Sequence, residues 1–131
     1  MVLEGGVCPP GAHPIVILLI NGDTAVLSNI TDIENEDFIP CLLEPKDDPR
    51  ILNIKSTFRY NQIKERSVKI LEAAIDKGNL RHCGQLASAA FNKIIQGSQS
   101  PEAIIKLTYK TMLKPAAAAV ATASPTLSAD A

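Results

Sequence analysis

Apolar side chains cluster in the chain in a telling order. Ile15-Val16-Ile17-Leu18-Leu19-Ile20 is an unbroken apolar run, followed by Asn21-Gly22 and then Asp23-Thr24-Ala25-Val26-Leu27-Ser28. Asn-Gly between β-formers is the strongest short-range hairpin signal, because both residues tolerate positive φ. The pattern predicts an antiparallel hairpin over 15–28 with its turn at Asn21-Gly22. The register that follows pairs Ile20 with Asp23, Leu18 with Ala25 and Val16 with Leu27. A first strand that is apolar on both faces needs cover on both.

Residues 29–50 are polar, acidic and turn-rich, with Asp32, Glu34, Glu36, Asp37 and Glu44-Pro45-Lys46-Asp47-Asp48-Pro49. The apolar stretch Phe38 to Leu43 reads as an edge strand, since Pro40 lacks a donor. Ile51-Leu52-Asn53-Ile54 reads as a further short strand.

From about residue 58 the spacing becomes helical. Helix A is expected over 58–77, with Ile63, Ser67, Ile70, Leu71, Ala74 and Ile75 on one face and Gly78 as its stop. Helix B is expected over 80–96, with Cys83, Leu86, Ala87, Ala90, Phe91, Ile94 and Ile95 at three-four spacing. Helix C is expected over 101–113, capped by Ser100 and begun by Pro101. Its inner side carries Ile104, Ile105, Leu107, Thr108 and Met112.

The fold class is therefore α+β: a small antiparallel sheet built on the N-terminal hairpin, packed by about three C-terminal helices. Gly5-Gly6, Pro9-Pro10-Gly11 and Pro14 make residues 1–14 an extended arm. Residues 15–114 form the domain, and 115–131, rich in Ala, Ser, Thr and Pro, read as a low-complexity tail.

Composition adjusts this picture in three ways. Hydrophobic residues make up 46% of the chain, enough for a core, but aromatic residues only 4%, so the core is aliphatic. Few rings also means few stacking platforms for bases or sugars. The formal net charge of −1 conceals a division. Residues 1–48 hold nine acids against Lys46, net −8, and residues 49–131 hold twelve bases against five acids, net +7. Such a division suits neutralisation between layers of one fold or head-to-tail contact between copies.

Three cysteines, Cys8, Cys41 and Cys83, form no CxxC pair and are an odd number, which disfavours a disulfide framework. The start of the chain has no basic, apolar leader, and the longest apolar run cannot span a bilayer. These features point to an intracellular protein, the interior of a virus particle included, with no membrane partner.

Catalytic and metal chemistry find little support. His13, His82 and the three cysteines fit no zinc spacing. Cys83 reads as a structural thiol on the seam of helix B. Cys41 follows a proline in an acidic stretch that would hold a thiol protonated. Asp32, Glu34, Glu36 and Asp37 read as solvated acids and lack the order of a calcium loop. No catalytic residue, cofactor, metal or small-molecule substrate is expected.

Two binding readings remain. The first is a non-enzymatic structural or interaction protein. It is a small subunit that self-assembles or docks onto a larger complex, of virion type for example, through its arms and the hairpin side chains Ile15, Val16, Ile17, Leu18, Leu19 and Ile20. Its basis is the expectation that three helices cover only one face of the sheet. The second is a nucleic-acid-binding module that uses Arg59, Lys64, Arg66 and Lys69 of helix A and Arg81 at the start of helix B.

Overall fold

A computed structural model describes residues 2–8, 13–33, 40–82 and 84–129, with side chains described as far as Thr122. Five strands make an antiparallel sheet: β1 (Val7–Cys8), β2 (Ile15–Asn21), β3 (Thr24–Asp32), β4 (Ser56–Phe58) and β5 (Lys64–Ser67). The helices α1 (Val68–Asp76), α2 (Ser88–Gly97) and α3 (Leu107–Ala129) follow. The strands run in the order β1, β2, β3, β4, and β5 pairs with β3 beside β4. The architecture is α+β.

The hairpin is present, with a different register from the one expected. Asn21 pairs with Thr24, Ile20 with Ala25 and Leu19 with Val26, so the turn residues are Gly22 and Asp23. Gly22 takes φ +63° at the first turn position. Beyond a β-bulge the ladder resumes with Ile17 opposite Leu27, Val16 opposite Ser28 and Ile15 opposite Asn29. Leu18 is the extra residue, so it does not face Ala25. The bulge has a packing consequence. Val16, Leu18 and Leu19 all pack into one core, while Ile15, Ile17 and Ile20 pack into another.

Those two cores lie on opposite faces of the sheet. On one, Val16, Leu18, Val26 and Ile30 pack with Ala90, Ile94 and Ile95 of α2 and Leu113 and Ala117 of α3. On the other, Ile17, Ala25 and Leu27 meet Val68, Leu71 and Ile75 of α1, with Val2 from the N-terminus. The helices divide between the faces, so the chain covers both sides of its own central strands.

The N-terminal segment is part of this cover. The Gly5 N–H donates to the Ile17 carbonyl at 2.7 Å, and the Leu86 N–H donates to the Gly5 carbonyl at 2.8 Å. Residues 2–8 thus lie between β2 and residues 84–86, with Val2, Val7 and Cys8 buried.

Helix A begins ten residues later than expected. Residues 56–67 supply β4, a one-turn 3-10 helix at Tyr60–Gln62, and β5. The open edge of β3 supplies ladder partners to this segment, and such pairing overrides local helix propensity. Ser67 then caps α1, its hydroxyl accepting the Ile70 N–H at 3.4 Å. Helix B also begins late. Gly84 sits at φ +82°, and its carbonyl accepts the Val7 N–H at 2.9 Å, so the chain there is tied to β1. Cys83 and the expected edge-strand residues Phe38 and Ile39 lie outside the described residues. Leu43 makes one bridge to Ser56, and Ile51–Ile54 is turn, not strand.

Helix C differs at both ends. Residues 100–103 close a turn in which the Ala103 N–H donates to the Ser100 carbonyl at 3.1 Å. Helix α3 starts at Leu107 and runs through Pro115 into the alanine-rich stretch. Proline removes one donor, to the carbonyl of exposed Thr111, where water can replace it. Alanine has the best helix propensity, and Leu113, Ala117 and Val120 form a stripe packed on the first core. Segment 115–129, read from its composition as a tail, is therefore helical.

Candidate functional site

The sequence pointed to two sets of residues, and the structure places them differently. Of the hairpin set, Val16, Ile17 and Leu18 are buried, and Ile15, Leu19 and Ile20 are partly buried against the same two cores. These six side chains lie within the protein's own two cores, and α1 and Val2 cover the face opposite α2 and α3. The apolar side chains left outside are dispersed, with Ile70, Ile104 and Leu107 the most exposed at 66%, 78% and 76%. Exposed apolar side chains scattered singly are ordinary on a protein surface.

The basic set is redistributed from one helix to a sheet edge. Lys64 stands opposite Leu27 and Arg66 opposite Ala25 in the β3–β5 ladder. The Arg59 N–H donates to the Asn29 carbonyl at 3.0 Å, which sets Arg59 beside Asn29. Ala25, Leu27 and Asn29 are alternate residues of β3, and alternate residues share a face. Arg59, Lys64 and Arg66 therefore continue one row on the α1 side of the sheet, and all three are exposed. The 3-10 turn at residues 60–62 loops out between them. The acids of these strands, Asp32 and Glu65, fall on the other alternation. Lys69 lies in the first turn of α1, two residues beyond β5. Arg81 is separate: it follows α1 towards the β1 edge, on the far side of β2 and β3.

At the Arg59 end the row borders an open groove of about 340 Å³. Thr31, Thr57, Arg59 and Asn61 line one side, and Glu102 and Ile104, from the α2–α3 connection, line the other. Thr57 Oγ1 is shielded from solvent and has no hydrogen-bond partner among the described residues.

The groups with most chemical potential elsewhere are engaged in holding the fold. Asp48 is buried; it accepts the Ala87 N–H at 2.8 Å and the Arg50 guanidinium at 3.3 and 3.4 Å. Asp47 accepts the Glu44 N–H and the Lys93 ammonium, both at 2.8 Å. Burial acts to raise the Asp47 pKa, but Lys93 and the Glu44 N–H outweigh it, and the carboxyl titrates below its ordinary value. The Tyr60 hydroxyl donates to the Ile94 carbonyl at 2.6 Å. Burial pushes the adjacent Cys41 thiol up to about 11, although Tyr60 and Lys93 act the other way. Burial, and then Cys41, raise Tyr60 as well. A thiol so protonated is a poor nucleophile.

Sequence reasoning read Asp47 and Asp48 only as members of an acidic turn. Their signal was Glu44-Pro45-x-Asp47, a capping pattern with proline at the first helical position. Asp32 is exposed at the end of β3, and Glu34, Glu36 and Asp37 lie outside the described residues. Among the described residues no group of three or more His, Cys, Asp or Glu side chains could hold a metal ion. Among them, too, no helix is long and apolar enough to cross a membrane.

No family model, curated protein or solved structure shows significant similarity to this chain.

Proposed function

We propose that the protein is a non-enzymatic interaction protein, a small subunit that works by attaching its outer surface to a larger partner. The observation that carries this reading is the use of its interior polar groups. Asp47, Asp48, Tyr60, Ser28 and Ser98 each hold one element of the chain to another or close a turn. The Cys41 thiol, beside a groove, is kept protonated by burial. What remains free to engage a partner is the rim, where the basic row and the exposed Ile104 and Leu107 stand.

Native mass tests the reading. The purified chain has a mass of 14.0 kDa. Light scattering that gives a multiple of this mass supports self-assembly. A larger native mass in the source lysate than in the purified state supports docking to another component. A 14.0 kDa species under both conditions argues against the reading.

A further inference from the structure

We infer that the row Arg59–Lys64–Arg66 is a track for the phosphodiester backbone of a nucleic acid, an inference that rests on the interaction reading above and names its partner. The decisive feature is the spacing imposed by β3. Its residues Asn29, Leu27 and Ala25 each hold one of the three cations alongside. Alternate residues on a strand advance about 7 Å, so the three cations sit on a line roughly 14 Å long. A line of regularly spaced cations matches a chain-like polyanion better than it matches a single anion.

The charges are available. Among the described residues no carboxylate forms a salt bridge with Arg59, Lys64 or Arg66. Arg66 spends one N–H on the Glu65 carbonyl at 2.9 Å, which leaves the rest of its guanidinium free. Two of the three are arginines, whose planar fork fits phosphate oxygens in pairs. Thr31 and Asn61 beside Arg59 add hydroxyl and amide groups of the kind that bond phosphate and sugar.

The groove at the same end separates a nucleic acid from other polyanions. Its far wall carries Glu102, whose carboxylate accepts the Ser100 hydroxyl, and Ile104, an apolar surface against which a base can lie while its phosphate stays on Arg59. A polyglutamate chain has no flat apolar unit to use there.

The test is fluorescence anisotropy with a labelled random-sequence single-stranded 12-mer at about 0.05 M and 0.2 M NaCl. With three phosphates neutralised, the logarithm of affinity should fall with that of salt at a slope near −2, about a 20-fold loss between the two salts. R59Q/K64Q/R66Q should abolish this binding or weaken it at least tenfold. The charge-matched variant K106Q/K110Q/K114Q, on α3 and the residue before it, should bind like wild type, and R59K/K64R/R66K should retain binding. Circular dichroism establishes that each variant is folded. Equal weakening by the α3 variant would reduce the effect to net charge and overturn the track. Tighter binding of labelled polyglutamate, or of anionic vesicles, than of the 12-mer would also overturn it. No binding of the 12-mer at low salt would end this inference, while the native-mass measurement would still decide the interaction reading on its own.

Discussion

The Tyr60 hydroxyl meets the Ile94 carbonyl at 2.6 Å and so joins the turn between β4 and β5 to the end of α2. Ala90, Ile94 and Ile95 bury the inner face of that helix, and Tyr60 and Phe58 pack edge to face below it with ring centroids 5.1 Å apart. Gly97 lies against this junction. A Cβ there would run into the Tyr60 hydroxyl and stand 2.8 Å from the Pro40 carbonyl oxygen. Tyr60→Phe should cost about 1 kcal/mol, because the Ile94 carbonyl keeps the Ser98 N–H as a second partner. Gly97→Ala should cost more, roughly 2–3 kcal/mol, because backbone cannot move aside as a side chain does. Urea unfolding of the two variants would check the order. A Gly97→Ala protein as stable as wild type would show that the junction is looser than its distances imply.

Parts of this fold were legible in the sequence for a clear reason. Asn21-Gly22 between apolar runs announces a hairpin locally, and Leu86, Ala90, Ile94 and Ile95 announce a buried helix face. The register was not legible. Leu18 and Leu19 are both apolar, so either satisfies a core, and nothing local marks Leu18 as the bulge. Residues 56–67 carry a polar pattern compatible with a helix. Only the pairing of Ala25 with Arg66 and of Leu27 with Lys64, about forty residues distant in sequence, makes them strand. The same non-local pairing brings together the candidate site. Its residue types were evident from charge alone, but their alignment exists only once β3 has received β5.

The raised Cys41 pKa predicts a loss of stability in alkali. The folded protein holds its proton up to about 11, whereas a thiol in the unfolded chain releases it near 9.0. Between those values the folded state binds more protons, so the stability of the fold declines as pH rises through that window. Two pKa units correspond to at most about 3 kcal/mol at the upper end. Tyr60, also raised, acts in the same direction. Cys41→Ala should therefore show a flatter decline between pH 9 and 11 than wild type, whatever its stability at neutral pH. Thiol titration with an aromatic disulfide reagent should label Cys41 only when the chain unfolds. Rapid labelling in the native protein would contradict the burial argument.

Asp47 predicts the complementary loss in acid. Its folded pKa lies below the ordinary 3.8, so its contribution is complete above that value and disappears as pH falls through the folded pKa. The bond to Lys93 holds the turn at residues 44–48 against α2, and Asp48 secures the same turn by accepting the Ala87 N–H at the start of that helix. Asp47→Asn should cost about 1 kcal/mol at neutral pH and flatten the stability profile below pH 3.8. Asp48→Ala should cost more, about 2–3 kcal/mol, because it leaves the Ala87 N–H without its acceptor. Equal acid profiles for Asp47→Asn and wild type would show that the Lys93 bond contributes nothing.

The hairpin provides the sharpest test of how the chain is closed. If one sheet face were reserved for a partner, truncating side chains on that face would leave the isolated protein's stability nearly unchanged. In this structure Ile17 and Leu18 are adjacent, face opposite ways and are exposed by only 1% and 3%. Ile17 packs with Ala25 and Leu27 under α1, and Leu18 packs in the core beneath α2 and α3. Each truncation removes buried methyl groups and leaves a cavity, so Ile17→Ala and Leu18→Ala should each cost roughly 2–5 kcal/mol. Helix α1 is the thinner cover: none of its own residues is fully buried, and Ile70 projects into solvent. The Ile17 site can therefore relax by a small shift of α1, which places its cost nearer the lower end of that range than the cost at Leu18. Thermal and urea unfolding of the two variants, compared at matched protein concentration, would measure both. A stability loss at Leu18 with none at Ile17 would mean that α1 does not close its face, and would return Ile15, Ile17 and Ile20 to the role of a docking surface.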